Sequence, residues 1–238
     1  MDSFIGTLGV IALLLGVGGA LGLALPGRLS IRWLLVAAGL VLLNDLMLTS
    51  AYGLLPRLPA GSSWNWQGKI LALAATLAIA ALPAFSWRRS GLTLAQAPGS
   101  LKTALPVTGL YFGLFLVLAL VFPNEPASLE TIAFQLTMPG LEEEPYYRGV
   151  LLLALGQAFT GRVRFLGVEW GLGAILSCAL FGLAHAFGFS HGQFSFDPLT
   201  MALTALPSLI AVWLVLKTRS VLLPVLMHNF GNAVTLLI

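Results

Sequence analysis

Apolar runs long enough to cross a bilayer recur along the whole chain, and nothing else in the sequence constrains its fold as tightly. Of 238 residues, 58% are hydrophobic and only 9% charged, against about 25% charged in soluble domains. A spanning helix needs ~20 mostly apolar residues. Helix is also one of only two backbone forms that satisfy every amide inside lipid. The sequence therefore predicts an all-α polytopic membrane bundle of about eight transmembrane helices. The expected spans are about 4–25, 33–54, 68–86, 104–122, 139–158, 170–188, 199–216 and 220–238. Pro, Gly and charged clusters separate them: Pro26-Gly27-Arg28, Pro56 to Trp66, Trp87-Arg88-Arg89-Ser90, Pro123-Asn124-Glu125-Pro126, Gly161-Arg162-Val163-Arg164, Ser190 to Pro198 and Lys217-Thr218-Arg219. A short amphipathic piece, about 128–137, is expected at the interface before the fifth span. Only Asp2 precedes the first run, which lacks the basic leader of a signal peptide and is too long for its apolar core, so it reads as a retained span.

Residues 1–127 are read as four N-terminal spans and 128–238 as a four-span catalytic core, together one integral membrane unit. Loop charge predicts orientation. Arg28, Arg32, Arg88, Arg89, Lys102, Arg162, Arg164, Lys217 and Arg219 fall in or beside the odd-numbered loops, whereas the other side carries only Arg57 and Lys69. By the positive-inside rule the odd loops are cytoplasmic. The net charge of +3 says little about nucleic acid, because the basic residues fall in short loops rather than in one patch, and no nucleic-acid partner is expected. The single cysteine, Cys178, offers neither a disulfide framework nor a CxxC metal site.

Against this background, Glu142-Glu143-Glu144-Pro145-Tyr146-Tyr147-Arg148 stands out, because it heads an otherwise apolar segment. One charged residue at the centre of a membrane helix costs roughly 2.5–3.5 kcal/mol, and such residues mark function by default. Glu144 and Arg148 are four apart and can pair on one helix face, whereas Glu143 points about 100° away. Pro145 is expected near a helix start, where its missing amide matters least. Downstream, His185 closes Phe181-Gly182-Leu183-Ala184-His185, and His228 and Asn232 lie one turn apart in the last span. Carboxylates, imidazoles and a carboxamide from different helices can converge in a bundle core. Such a set can activate water and stabilise an oxyanion.

Glu143-Glu144-x-x-x-Arg148, Phe181-x-x-x-His185 and His228-x-x-x-Asn232, in that order, resemble the three motifs of the CPBP family, the type II CAAX-prenyl endopeptidases and Abi or bacteriocin-processing proteins. The resemblance covers about residues 139–238. It implies an intramembrane endopeptidase acting on a membrane-associated peptide or protein. Glu143 would be the base that activates water together with His185, and His228 and Asn232 would form the oxyanion hole. Glu144 and Arg148 would orient the site, Phe181 would pack beside His185, and Glu142 would be a spare acid. Family members have also been read as metalloenzymes, in which case Glu143, His185 and His228 would hold zinc. HExxH is absent, however, and a mechanism without a cofactor is favoured.

The same residues admit two other classes of function. One is a proton-coupled transporter, which predicts symmetry between the two halves that the C-terminal clustering of charge does not show. The other is a non-catalytic immunity or interaction protein. Asn44 and Asp45 are read as interhelical polar contacts and His191 as a solvated loop residue. Tyr146 and Tyr147 are assigned to an aromatic belt or the cavity wall, and Trp64, Trp66 and Trp87 to the belt.

Overall fold

The computed structural model describes residues 2–25, 27–54, 61–122 and 126–238. The predicted breaks at Pro26, Pro56, Arg57 and Pro123–Glu125 lie outside them. The described residues form a bundle of helices: α1 (Asp2–Ala24), α2 (Ile31–Thr49), α3 (Trp66–Ala80), α4 (Leu101–Val121), α5 (residues 129–158), α6 (Leu172–Ala186), α7 (Pro198–Thr218) and α8 (Leu222–Ala233). Helices α1, α2, α4 and α7 are long and apolar enough to cross a membrane, while α3 and α6 are shorter apolar helices. Two antiparallel hairpins, which the sequence reading did not anticipate, occupy loops. β1 (Val163–Phe165) pairs with β2 (Val168–Trp170), and β3 (Phe187–Ser190) with β4 (Gln193–Phe196). The second hairpin ends α6 at Ala186, so His185 lies in the last turn of the helix.

α5 departs most from expectation. It runs unbroken through Leu129–Glu144, a π-helical stretch Pro145–Leu151, and Leu152–Ala158. The amphipathic piece expected at 128–137 is therefore the first part of the same helix and not a separate interfacial segment. Pro145 sits inside this helix and not at its start. A proline there has no N–H to give to the carbonyl four residues back, and the chain widens into the π form. Leu152 N–H then reaches back five residues to Tyr147 O. π-Turns of this kind occur often at functional sites. The Tyr147 carbonyl also accepts from buried Ser177 Oγ at 2.7 Å, which ties the π stretch to α6.

Contacts at the loops sort the helices into an up-and-down arrangement. At one end, Ser30 N–H donates to Ala158 O (2.8 Å), Ala97 N–H to Thr218 O (2.7 Å) and Ser220 Oγ to Thr93 O. At the other, Ser3 Oγ donates to Asp45 (2.9 Å) and Asn65 Nδ2 to Leu48 O (2.8 Å). Glu130 there accepts from Ser63 N–H, Trp64 N–H and Trp66 Nε1. Trp64 and Trp66 pack on Phe134, with ring centres 4.8 and 5.1 Å away. These two tryptophans therefore clamp the start of α5 to the segment leading into α3 instead of merely marking an interface.

The core centres on the second half of α5, where Val150, Leu151, Ala154, Leu155 and Ala158 are wholly buried. Lipid tails are as apolar as leucine, so close packing rather than hydrophobicity holds such helices together. Two glycines permit that closeness. A Cβ on Gly140 would stand 2.7 Å from Val225 O on α8, and one on Gly173 2.5 Å from the Leu155 carbonyl carbon on α5. Gly140 N–H also donates to Asn229 Oδ1 at 2.7 Å. Gly140→Ala is expected to push α5 from α8 and to cost about 1–3 kcal/mol. Thermal unfolding in detergent checks this, and an unchanged Tm would contradict the close approach.

Asp197 caps α7, accepting from Leu199 N–H (2.9 Å), Thr200 N–H (3.3 Å) and Thr200 Oγ1 (2.6 Å). The Thr200 hydroxyl, above all, holds its carboxyl below the usual range. A depressed carboxylate contributes stability above its unfolded value of about 3.9 and loses it as pH falls through the folded value. Asp197→Ala should therefore lower Tm at pH 7, and the gap to wild type should close below about pH 4.

Candidate active site

Half-way along α5 its three consecutive glutamates meet charge from three directions. Glu144 and Glu142 are 1% and 0% exposed, and Arg148 is 2% exposed. A charge so placed persists only when paired. Arg148 Nε lies 3.2 Å from Glu144 Oε2, the i, i+4 pair the spacing predicts. The other oxygen, Glu144 Oε1, bonds His228 Nδ1 on α8 at 2.7 Å. Glu144 thus joins the α5 arginine to the α8 histidine, and His228 Nε2 is left 3.8 Å from Glu143 Oε2.

Lys69 on α3 is the residue the sequence reading missed. Its Nζ lies 2.6 Å from Glu142 Oε2 and 2.5 Å from Glu143 Oε1. It belongs to the buried site, whereas the charge count had set it with Arg57 as a charge of the face opposite the odd loops. Glu142 is correspondingly no spare acid: it is fully buried, held by Lys69, with Asn44 of α2 beside it. A lone lysine near the head of an apolar helix was the available signal, because an unpaired cation there is as costly as the glutamates. The N-terminal half of the chain thus contributes to the site, although no motif there pointed to it.

Phe181 and His185 enter from α6. Their rings are 4.7 Å apart, as expected, and Phe181 also lies 4.0 Å beneath the Arg148 guanidinium and edge-on to His228 at 6.1 Å. One phenyl ring therefore packs against three site residues, adding a cation–π contact to the buried arginine. His185 Nδ1 lies 2.8 Å from Phe181 O, a partner that can only accept, so Nδ1 donates, and Nε2 has no hydrogen-bond partner among the described residues. Tyr146 and Tyr147 are buried at 3% and 8% exposure, with ring centres 4.7 Å apart, and form core rather than an aromatic belt. His191 lies exposed in the β3–β4 turn, away from the cavity that holds the other two histidines.

Glu143, Glu144, Arg148, His185, His228 and Asn232 all line one cavity of about 620 Å³, together with Lys69. Asn232 Nδ2 donates to Gln135 Oε1 of α5 at 3.1 Å, which fixes the carboxamide at the cavity edge. Lys69 holds Glu143 Oε1, and among the described residues no group of three His, Cys, Asp or Glu stands together as metal ligands would.

Removing Lys69 leaves two buried carboxylates without their cation, a loss of about 3–5 kcal/mol. Lys69→Met should lower Tm strongly, and adding Glu142→Gln should recover part of the loss. Additive effects in a double-mutant cycle would contradict the pairing.

Residues 125–234 match the family model described as type II CAAX prenyl endopeptidase Rce1-like. No curated protein and no solved structure matches the chain. The matched segment contains all three motifs, and over it this integral membrane protein is similar to the Rce1-like, type II CAAX prenyl endopeptidase family of proteases.

Proposed function

We propose that the protein is a multi-pass intramembrane endopeptidase in which Glu143 activates water without a cofactor. The observation that carries this reading is the gathering of Glu143, His185, His228 and Asn232, from α5, α6 and α8, around one cavity. Lys69 occupies Glu143 Oε1 and leaves Oε2, which has no hydrogen-bond partner among the described residues, as the oxygen that receives a proton. A water bridging Glu143 Oε2 and the free His185 Nε2 gives that proton to Glu143 while its oxygen attacks the scissile carbonyl carbon. The oxyanion that forms accepts hydrogen bonds from Nε2–H of His228, when this ring is protonated, and from the second Nδ2–H of Asn232. Glu144 steadies His228 through Nδ1 and balances the charge of its imidazolium. Collapse of the intermediate breaks the C–N bond, and Glu143 returns the proton to the leaving amine.

The substrate is a membrane-associated protein or peptide. Prenylated C-terminal CaaX segments are the class that the family's name implies. All eight helices cross the bilayer, the shorter ones within a locally thinned or polar environment. The arginine-bearing loops face the cytoplasm. With Lys69 bound in the site, the opposite face holds still less positive charge than the sequence count suggested.

Glu143→Gln keeps the shape but cannot take the proton. It should lower the cleavage rate of a reconstituted membrane peptide by roughly 10²–10⁴-fold, with little change in Tm. His185→Ala should fall in the same range. Wild-type rates in both variants would reject the mechanism.

A further inference from the structure

A second cavity, of about 390 Å³, opens at the other end of the bundle. Four of the arginines that line it come from three loops far apart in sequence: Arg88 and Arg89 after α3, Arg162 after α5, and Arg219 between α7 and α8. Glu169 is the one carboxylate lining it among the described residues. The four arginines form no ion pair among those residues. A general positive-inside bias needs arginines somewhere in these loops, but it does not require them to converge.

The same convergence is visible in the backbone. Arg219 holds a left-handed conformation at φ +62° that usually falls to glycine. Two others are held in place by backbone carbonyls. Arg89 Nη1 donates to Ala84 O at 2.8 Å, and Arg162 Nη2 to Gly156 O at 2.6 Å. At the inner wall stands Arg148, 2% exposed, whose buried Nη1 has no hydrogen-bond partner among the described residues. Arg148 lines both cavities. Beside the arginines the wall turns apolar, through Leu152, Val215 and Leu216.

We propose that this cavity binds the phosphate of an anionic lipid headgroup. Guanidinium groups match phosphate oxygens in pairs, and basic pockets between helices at the membrane surface take such headgroups. The apolar wall gives the glycerol and first acyl carbons a surface that free phosphate would not need. The assignment is independent of the proteolytic reading, because its test measures binding alone.

The test is thermal unfolding of the purified full chain in zwitterionic detergent. The probes are dihexanoyl phosphatidylglycerol, dihexanoyl phosphatidylcholine and inorganic phosphate. Phosphatidylglycerol at saturating concentration should raise Tm by roughly 4 °C or more, and phosphatidylcholine should not. Arg88→Gln/Arg219→Gln should abolish the rise, whereas Arg88→Lys/Arg219→Lys should keep part of it. An equal rise with inorganic phosphate would assign the cavity to a free anion and overturn the lipid. An equal rise with phosphatidylcholine, the same rise in the Gln variant, or no rise in wild type would overturn the site itself. If the Gln variant does not fold, the comparison of the three probes on wild type and the Lys variant decides.

Discussion

The cancellation of buried charge around Glu142, Glu143 and Glu144 is the constraint on which the rest of the structure depends. Three carboxylates in the middle of a membrane protein can stay only if cations reach them. Two do: Lys69 from α3, shared between Glu142 and Glu143, and Arg148 from α5 itself. His228 joins through Glu144. Each of these contacts also fixes a helix. Lys69 draws α3 against α5, and the Glu144–His228 bond holds α8. The electrostatic solution and the packing solution are therefore one arrangement, and it leaves Glu143 Oε2 and His228 Nε2 3.8 Å apart as the atoms on which the proposed mechanism draws.

Backbone geometry makes that arrangement reachable. Pro145 interrupts the hydrogen-bond ladder of α5 directly after the glutamates, and the π-helical stretch that follows carries Arg148. Gly140, two residues before the first of the glutamates, lets α8 approach until Asn229 can accept from its amide. Phe181 fills the space between Arg148, His185 and His228 and keeps the guanidinium covered on the side that faces no carboxylate. Arg148 forms the wall shared by the two cavities, so it lies between the candidate active site and the arginine-lined basin at the opposite end.

Much of this was legible in the sequence because the relevant signals are local. The positions of the helices follow from apolar length. The Glu144–Arg148 pair follows from i, i+4 spacing, and the contact between Phe181 and His185 from the same interval on α6. The continuity of α5 was not legible, because Pro139-Gly140 and Pro145 look like breaks when only local propensity is considered. Packing on both sides overrides that propensity. The role of Lys69 was hidden for a different reason: its partners lie more than seventy residues away, and a lone lysine near a helix end resembles a loop charge.

The sequence by itself determined that the chain is an apolar helical bundle and which residues of its second half carry the family motifs. Periodicity, hydrophobic length and short-range spacing are properties of a single helix, and they can be counted along one strand of text. Only the tertiary structure decided that Glu142 is paired rather than spare, that His185 stands at a helix end facing the cavity, and that arginines from three loops share one basin. Those outcomes depend on which helices lie side by side, and that is settled by buried charges finding partners and by backbones close enough to touch at glycine.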